Sequence, residues 1–390
     1  MKKFLFVANR FDGEPAGGTA LCHAHYEALR SVFSDCDAQI VSTLSRTLKE
    51  NPEQNKVSIK CSRSHFDDFV NLMTGRHSGH GTSNSIKAEN EILRMLNDDS
   101  YRFVWFDDCT YGSAVRKIKR VRPDIPVYVF YHIVPEYNPI NIMIKDIFKP
   151  KRIFTALKNK NYMNQQKLSA EYADVNVLLN DRDNETFSRL YGSRERLTLP
   201  VCFIDKARSI HTETERESDE FNIFFIGIGM PQNVKSIKWF AVNVMPGLNE
   251  KAKLIIAGNG MDKHKNDPEF KDNPRISING RVNNLDSYYN MADLVVVPTL
   301  YGAGMMTKVG EALMYGKNIL ATSHALNGYP EIESQCRCDT PEEFITRINA
   351  MIEKGTERYN PDMRRIFKER YSVSAMAGTL REDLMRREII

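Results

Sequence analysis

Two α/β domains, each a doubly wound parallel sheet, are what this sequence predicts, and three observations carry the prediction. Short runs rich in apolar and β-branched residues recur along the chain, each followed by a turn and a segment of helical period. That alternation produces parallel strands with helices on both faces. The runs fall into two series separated by Asp205 to Phe221, a polar, charged stretch with no apolar period, as an exposed connection requires. Finally, the chain has 390 residues, which at about 150 per domain suits two or three domains. Its 42% hydrophobic and 27% charged residues are ordinary globular proportions.

In chain order, the first series is Phe4 to Ala8, Phe103 to Phe106, Val127 to Tyr131 and Val175 to Leu179. The second begins with FNIFFIG at Phe221 and continues with KLIIAG from Lys253, RISING from Arg275, LVVVP from Leu294 and NILATS from Asn318. The expected organisation is a first domain over 1–205, a linker over 206–220 and a second domain over 221–370. Residues 371–390 have helical character and are expected, by analogy with two-domain enzymes of this type, to return to the first domain.

Charge and cysteine usage narrow the partners. Fifty-four Lys and Arg against 50 Asp and Glu give a net charge of +4, too small a surplus for a dedicated nucleic-acid binder. Seven scattered cysteines are an odd number and fit reduced thiols and a cytoplasmic setting better than a disulfide framework. Cys336 and Cys338 are too close together for half of a zinc site. The N-terminal run MKKFLFVAN reads as a buried strand, its apolar core too short for a signal peptide. No apolar stretch approaches the roughly 18 residues of a membrane-spanning helix. Residues 139–167, however, carry seven Lys or Arg against one acid, among them Lys149, Lys151 and Arg152 beside Ile153 and Phe154. This mixture suits an interfacial surface on anionic lipid, and equally a solvated helix whose apolar face packs on its own domain.

Ligands of open parallel sheets bind at the carboxyl ends of the strands, so the loops there hold the candidate residues. After the first strand, Gly17 and Gly18 precede a helical segment, where paired glycines allow close backbone approach to a ligand or simply make a turn. His132 ends VYVFYHIV, at a position where a strand delivers a side chain toward a sugar hydroxyl or phosphate. His23 and His25, two residues apart in a helical segment, point to different faces and read as structural. The most informative stretch is Asn279 to Tyr329. There a buried strand leads into a glycine-punctuated loop, Tyr301 to Met306, and then a helix from Thr307 to Tyr315 stopped by Gly316. Backbone amides around Gly304, Met305 and Met306, with the helix dipole, suit a diphosphate. Lys308 adds a positive charge or is a solvated helix lysine. Glu311, between Val309, Ala312 and Leu313, offers two carboxylate oxygens to a vicinal diol such as that of ribose, or is an exposed helix glutamate.

The series GRV, ADLVVVP and GAGMMTKVGEALMYGKNILATS resembles the donor-binding half of the retaining, nucleotide-sugar-dependent glycosyltransferases of family 4. FIG at Phe225 to Gly227, NVKSIKWF from Asn233, LIIAGNG from Leu254 and ADVNVLLNDRDNETFSRLYG from Ala173 extend the likeness. The resemblance implies the GT-B fold, two Rossmann-like domains facing across a cleft, the first taking the acceptor and the second the donor. Glu311 matches the second glutamate of that family's Glu-x7-Glu motif, implied to hold the donor ribose. Ala303 stands where the first glutamate is expected. Ile228 stands where Arg is common and Asn233 where Lys is common, which leaves diphosphate neutralisation to Lys308 with Lys235.

The resemblance further places Gly227, Arg281 and Val282 beside the donor, assigns His132 to the donor sugar or its phosphate, and lets Gly18 bring backbone to the acceptor or diphosphate. It implies hexosyl transfer from a UDP- or GDP-sugar to an acceptor hydroxyl with retention, with no cofactor and no metal. Of the acidic pairs, Asp107 with Asp108 follows a strand on the acceptor side, whereas Asp35 with Asp37 and Asp181 with Asp183 read as a turn and a helix start. Alternatives are a nucleotide-sugar 2-epimerase of the same fold and, given Ala303, Ile228 and Asn233, a non-catalytic partner subunit. The expected acceptor is a glycan or lipid-linked glycan, as in bacterial surface polysaccharide synthesis, met in the cytoplasm or at the inner face of the membrane through 139–167.

Overall fold

A computed structural model describes residues 2–12, 17–44, 55–76, 84–134, 150–207, 219–302 and 304–390. The chain divides into two compact units, Met1–Pro200 with Met376–Ile390 and Val201–Ala375.

Among the described residues the first unit is built on seven parallel strands: β1 (Lys3–Ala8), β2 (Asp37–Leu44), β3 (Lys56–Lys60), β4 (Tyr101–Phe106), β5 (Val127–Phe130), β6 (Val175–Leu178) and β7 (Arg196–Thr198). Their order is β3-β2-β1-β4-β5-β6-β7. Phe4 to Val7, Phe103 to Phe106 and Val127 to Phe130 are wholly buried, because helices cover both faces of such a sheet. β2, β3 and β7 were not expected from the sequence. β3 and β7 are edge strands with mostly half-buried residues, so they lack the continuous apolar run that marks a central strand.

The helix Val373–Arg386 closes this unit. Leu380 and Leu384 are buried, Tyr128 Oη donates to Asp383 Oδ2 at 2.7 Å, and Arg387 pairs with Glu195 at 3.1 Å. At the chain's midpoint the second unit begins at Val201, ahead of the expected linker. Phe203 is the reason: its amide donates to the Tyr371 carbonyl at 2.8 Å, and its ring occupies the space a Cβ on Gly310 would need. Residues 208–218 of the expected linker lie outside the described residues.

The second unit has five parallel strands among its described residues: β8 (Phe221–Ile226), β9 (Ala252–Ala257), β10 (Ile276–Asn279), β11 (Leu294–Val297) and β12 (Asn318–Ala321). They are ordered β10-β9-β8-β11-β12. Its core joins Ile223, Phe225, Leu254, Ile256 and Val296 from the sheet to Phe240 and Phe344 from the covering helices. In both units the first strand lies between one strand that follows it directly and one reached by a long return. Loops therefore leave the β1/β4 and β8/β11 pairs in opposite directions and open a crevice at their carboxyl ends.

Candidate functional site

In the second unit the crevice lies where the connection after β8 meets the loop after β11. Gly304 takes φ +75°, the left-handed conformation that glycine adopts without strain, and turns the chain into the helix Thr307–Met314. No side chain caps that helix; the Val309 amide donates back to the Met306 carbonyl at 3.0 Å, which leaves the amides ahead of it for another partner. The loop leading into it is fixed from behind. Met305 is buried against Gly328, and Tyr329 Oη donates to the Met306 carbonyl at 2.9 Å.

Lys308 is not a solvated lysine. It is 8% exposed, its Nζ donates to Asn233 Oδ1 at 2.8 Å, and the ammonium sits 4.6 Å from the centre of the Phe225 ring. Asn233 is itself held by donating through Nδ2 to the Ile228 carbonyl at 2.9 Å. Burial lowers the Lys308 pKa to about 8, against the pull of Glu311. Asn233 thus reaches the crevice indirectly, by orienting the lysine. Gly227 has little room for a side chain, since a Cβ there would stand 3.1 Å from Asn233 Cγ. Lys235 is exposed, with its ammonium 5.3 Å from the Tyr301 ring centre.

Glu311, one turn beyond Lys308, is partly buried and accepts from Tyr289 Oη at 3.3 Å. The Tyr289 ring stacks on Tyr315 at 4.2 Å, nearly parallel, and Tyr315 Oη donates to Asp286. Burial raises the Glu311 pKa, while Tyr289, Lys308 and Lys206 restrain it. A carboxylate held by one phenol retains acceptor capacity for a ligand hydroxyl. Arg281, exposed, and Val282, half-buried, follow β10, two strands across the sheet from β8. Ala303 lies outside the described residues. Phe225, in the FIG run, completes this site together with Tyr289, Tyr315 and Asp286, for which no local stretch of chain held a signal: Tyr289 precedes Glu311 by 22 residues and meets it only through the packing of two helices.

In the first unit the helix Gly18–Val32 starts at Gly18 behind Gly17, whose φ is +47°. A Cβ on Gly18 would meet the Arg10 guanidinium, so the glycine lets Arg10 lie over the helix start. Asp107, directly after β4, is 1% exposed and lies between two imidazoles. His25 Nδ1 is 2.5 Å from its Oδ1, which also accepts from Trp105 Nε1 at 3.1 Å. His132 Nε2 is 2.8 Å from the Asp107 carbonyl and 3.6 Å from Oδ2. Burial pushes the Asp107 pKa up, but His25 and His132 outweigh it and hold the carboxyl well below the usual carboxylate range. His132 is therefore anchored through Nε2 at the end of β5, with its side chain 11% exposed. His23 stacks on Phe11 at 4.4 Å and His25 is wholly buried, so the two histidines serve different neighbours.

After β6, Asn180 caps the helix Asp181–Tyr191 by accepting from the Asp183 amide at 2.9 Å. Burial pushes the Asp183 carboxyl up to about 6. Among the described residues no group of three or more His, Cys, Asp or Glu is gathered for a metal, and no helix is long and apolar enough to cross a membrane.

Comparison with known proteins agrees with this geometry. Residues 220–354 match the family described as Glycosyl transferases group 1. No curated protein matches the sequence. Among solved structures, sucrose-phosphate synthase from Thermosynechococcus elongatus superposes with a TM-score of 0.68 at 12% identity, over 100% of this chain and 99% of that one. HepE from Anabaena, solved with UDP and glucose, gives 0.63 at 12%, over 99% and 100%. The lipopolysaccharide outer core galactosyltransferase WaaB gives 0.65 at 12%, over 99% of each chain. At such identities the structural likeness establishes the fold. Residues 220–354 thus form a Glycosyl transferases group 1 domain, and the chain as a whole has the GT-B fold of these neighbours.

Proposed function

We propose that the protein is a retaining glycosyltransferase that moves a hexosyl group from a UDP- or GDP-sugar to an acceptor hydroxyl. The observation that carries this reading is the pairing of Lys308 and Glu311 on one turn of the uncapped helix Thr307–Met314. Glu311 would accept from the ribose hydroxyls while the first-turn amides and the Lys308 ammonium hold the diphosphate. As the bond to the sugar breaks, negative charge grows on the departing diphosphate. Donors already oriented toward it stabilise that charge without reorganising. No metal or cofactor is assigned to this step. Lys235 lies at the exposed side of the same crevice, and Arg281 and Val282 would border the base. In the first unit His132 would meet the sugar or its phosphate, with Gly18 admitting backbone to the acceptor or diphosphate.

That HepE was solved with UDP and with UDP-glucose favours a uridine nucleotide. The experiment is a calorimetric titration of UDP, GDP and their sugars into the full chain and into Glu311→Ala. One nucleotide should bind the parent chain and weaken in the variant; equal binding to both proteins removes the ribose assignment. Product anomer analysis by NMR then decides retention. Residues 135–149 of the basic segment lie outside the described residues. Ile153, Phe154 and Leu157 of the adjoining helix Pro150–Tyr172 are exposed, which supports peripheral contact with anionic lipid near a lipid-linked glycan. Flotation with acidic liposomes tests this, and binding unchanged by neutralising Lys149, Lys151 and Arg152 overturns it.

A further inference from the structure

Among the described residues the exposed phenylalanines are Phe66, Phe69 and Phe154, and they stand on two neighbouring helices of the first unit. On the helix His65–Met73, Phe66, Phe69 and Met73 follow one another at helical spacing along one face and are 72%, 50% and 65% exposed. The packed side of that helix holds Asn71 and Leu72, both buried. On the helix Pro150–Tyr172, Ile153, Phe154 and Leu157 are exposed as well. Two hydrogen bonds set these helices side by side. Asn161 Nδ2 donates to the Leu72 carbonyl at 2.7 Å, and Gln165 Nε2 donates to the Gly75 carbonyl at 2.7 Å. Phe154 lies two turns before Asn161 on the same face, the side of its helix that meets the other. Scattered exposed apolar residues are ordinary, but a gathered set marks an interaction surface.

Place and charge select the occupant of this surface. The helix Pro150–Tyr172 leads from the carboxyl side of the sheet back to the start of β6. Its Ser169 Oγ donates to the Cys109 carbonyl at 2.8 Å, just past the end of β4. At a rise of about 1.5 Å per residue Ile153 stands about 24 Å ahead of Ser169, so the first turns project beyond the carboxyl edge. The helix sequence carries Lys151, Arg152, Lys158, Lys160 and Lys167 against one acid, Glu171, at its far end. Lys160 is exposed and shares the face of Ile153 and Leu157. The acids of the other helix are Asp67 and Asp68. Asp67 accepts from the Arg63 and Ser64 amides at 2.8 and 3.1 Å, Asp68 is half-buried, and Arg63 and His65 beside them are exposed. Apolar side chains with basic neighbours suit the boundary of an anionic bilayer, whereas a second copy meeting the surface by two-fold symmetry would set the same basic face against itself. We propose that the two helix faces form one membrane-docking surface. Phe66, Phe69 and Met73 enter the headgroup boundary of an anionic bilayer beside Ile153, Phe154 and Leu157, with Lys160 on the lipid phosphates. This deepens the peripheral-membrane reading above and rests on it, and it turns the edge that carries Asp107 and His132 toward the lipid.

Flotation of the full chain tests the proposal with vesicles of phosphatidylcholine alone and of phosphatidylcholine and phosphatidylglycerol in equal parts. The parent chain should float with the mixed vesicles and stay behind with the neutral ones. Phe66→Ser combined with Phe69→Ser should weaken binding by at least about tenfold, the scale of losing buried aromatic area at an interface. Both side chains are exposed without lipid, so the melting temperature should hold. Hydrogen exchange on the parent chain needs no variant: mixed vesicles should slow exchange in 65–74 and in 153–160 together. Flotation unchanged by the double substitution, or protection confined to 153–160, would remove the helix His65–Met73 from the surface. The peripheral reading would then stand if neutralising Lys149, Lys151 and Arg152 still abolished flotation. A parent chain that floats with neither vesicle, or equally with both, would overturn the proposal and that reading together. A lipid-free dimer, seen by light scattering and dissociated by the double substitution, would assign the face to a second copy and overturn the proposal.

Discussion

The first unit buries two carboxylates in opposite ways. Glu89, on the helix Ile86–Met95, is wholly buried. Arg76 grips it with two bonds of 2.9 and 2.8 Å, Lys117 reaches it at 2.6 Å, and Asn84 and Ser113 add further donors. Burial pushes its pKa up, but these partners outweigh that and bring it below the usual glutamate value. Asp183 is buried nearly as deeply, yet the hydrogen bonds it draws come from neutral groups, the Val134 amide and the Asn180 side chain, and burial outweighs them and takes the pKa up to about 6. The comparison teaches that burial alone does not mark a functional acid. A carboxylate gripped by charged donors stays ionised and supports the fold, whereas one served by neutral donors is pushed up by its burial. Glu311 in the second unit lies between the two, held by Tyr289 and raised by burial.

The sharpest way to break this comparison is Glu89→Gln. Removing one member of a buried ion network leaves Arg76 and Lys117 without their carboxylate, and about 3–5 kcal/mol of stability should be lost, read by urea unfolding. Because the folded pKa of Glu89 is depressed, its contribution is present above the unfolded value and fades as pH falls through the folded one. A variant as stable as the parent at pH 7 would mean the network carries no structural weight.

Next in size, Glu311→Ala should cost nucleotide binding about 1.5–3 kcal/mol, the worth of a charged hydrogen bond, with unfolding little changed. Calorimetry separates the two readouts. Asp183→Asn should do the reverse of Glu89→Gln. A raised pKa means stability is fullest below the unfolded value near 4 and lost as pH rises through about 6. Replacing the carboxyl should therefore stabilise the protein at pH 7, on the order of 1–2 kcal/mol after allowing for relaxation. Melting curves of both proteins between pH 4 and 7 should converge at the acid end; parallel curves would show that Asp183 is not strained by its surroundings.

The smallest effect belongs to Lys308. Its ammonium discharges around pH 8, so diphosphate affinity should be highest below that value and fall up to about tenfold between pH 7 and 9. Lys308→Met should bind weakly and show no such pH dependence. A slope that persists in the variant would assign the titration to another group.

The helix Thr307–Met314 and the side chains on it were legible because everything that defines them is local. A buried strand, a glycine loop, a lysine and a glutamate one turn apart appear consecutively, and helical period alone puts the two charges on one face. What surrounds them was not legible. Asn233, which stands where family 4 glycosyltransferases commonly have Lys, orients Lys308 across 75 residues of sequence. The Tyr289, Tyr315 and Asp286 chain behind Glu311 exists only once two helices are packed. The central strands were readable because burial on both faces demands unbroken apolar runs. The edge strands β3 and β7 were not, since a half-covered strand needs no such run.

By itself, then, the sequence determined two parallel α/β units, the position of the helix that carries Lys308 and Glu311, and the chemical character of that turn, because periodicity and short-range spacing encode all three. Only tertiary structure decided which polar groups end up satisfied. Asp107 gained two histidines, Glu89 a full set of donors, and Asp183 neutral donors only. Those outcomes depend on residues dozens of positions apart being brought within about 3 Å, the range over which a hydrogen bond can form, and nothing in a local stretch of chain specifies that meeting.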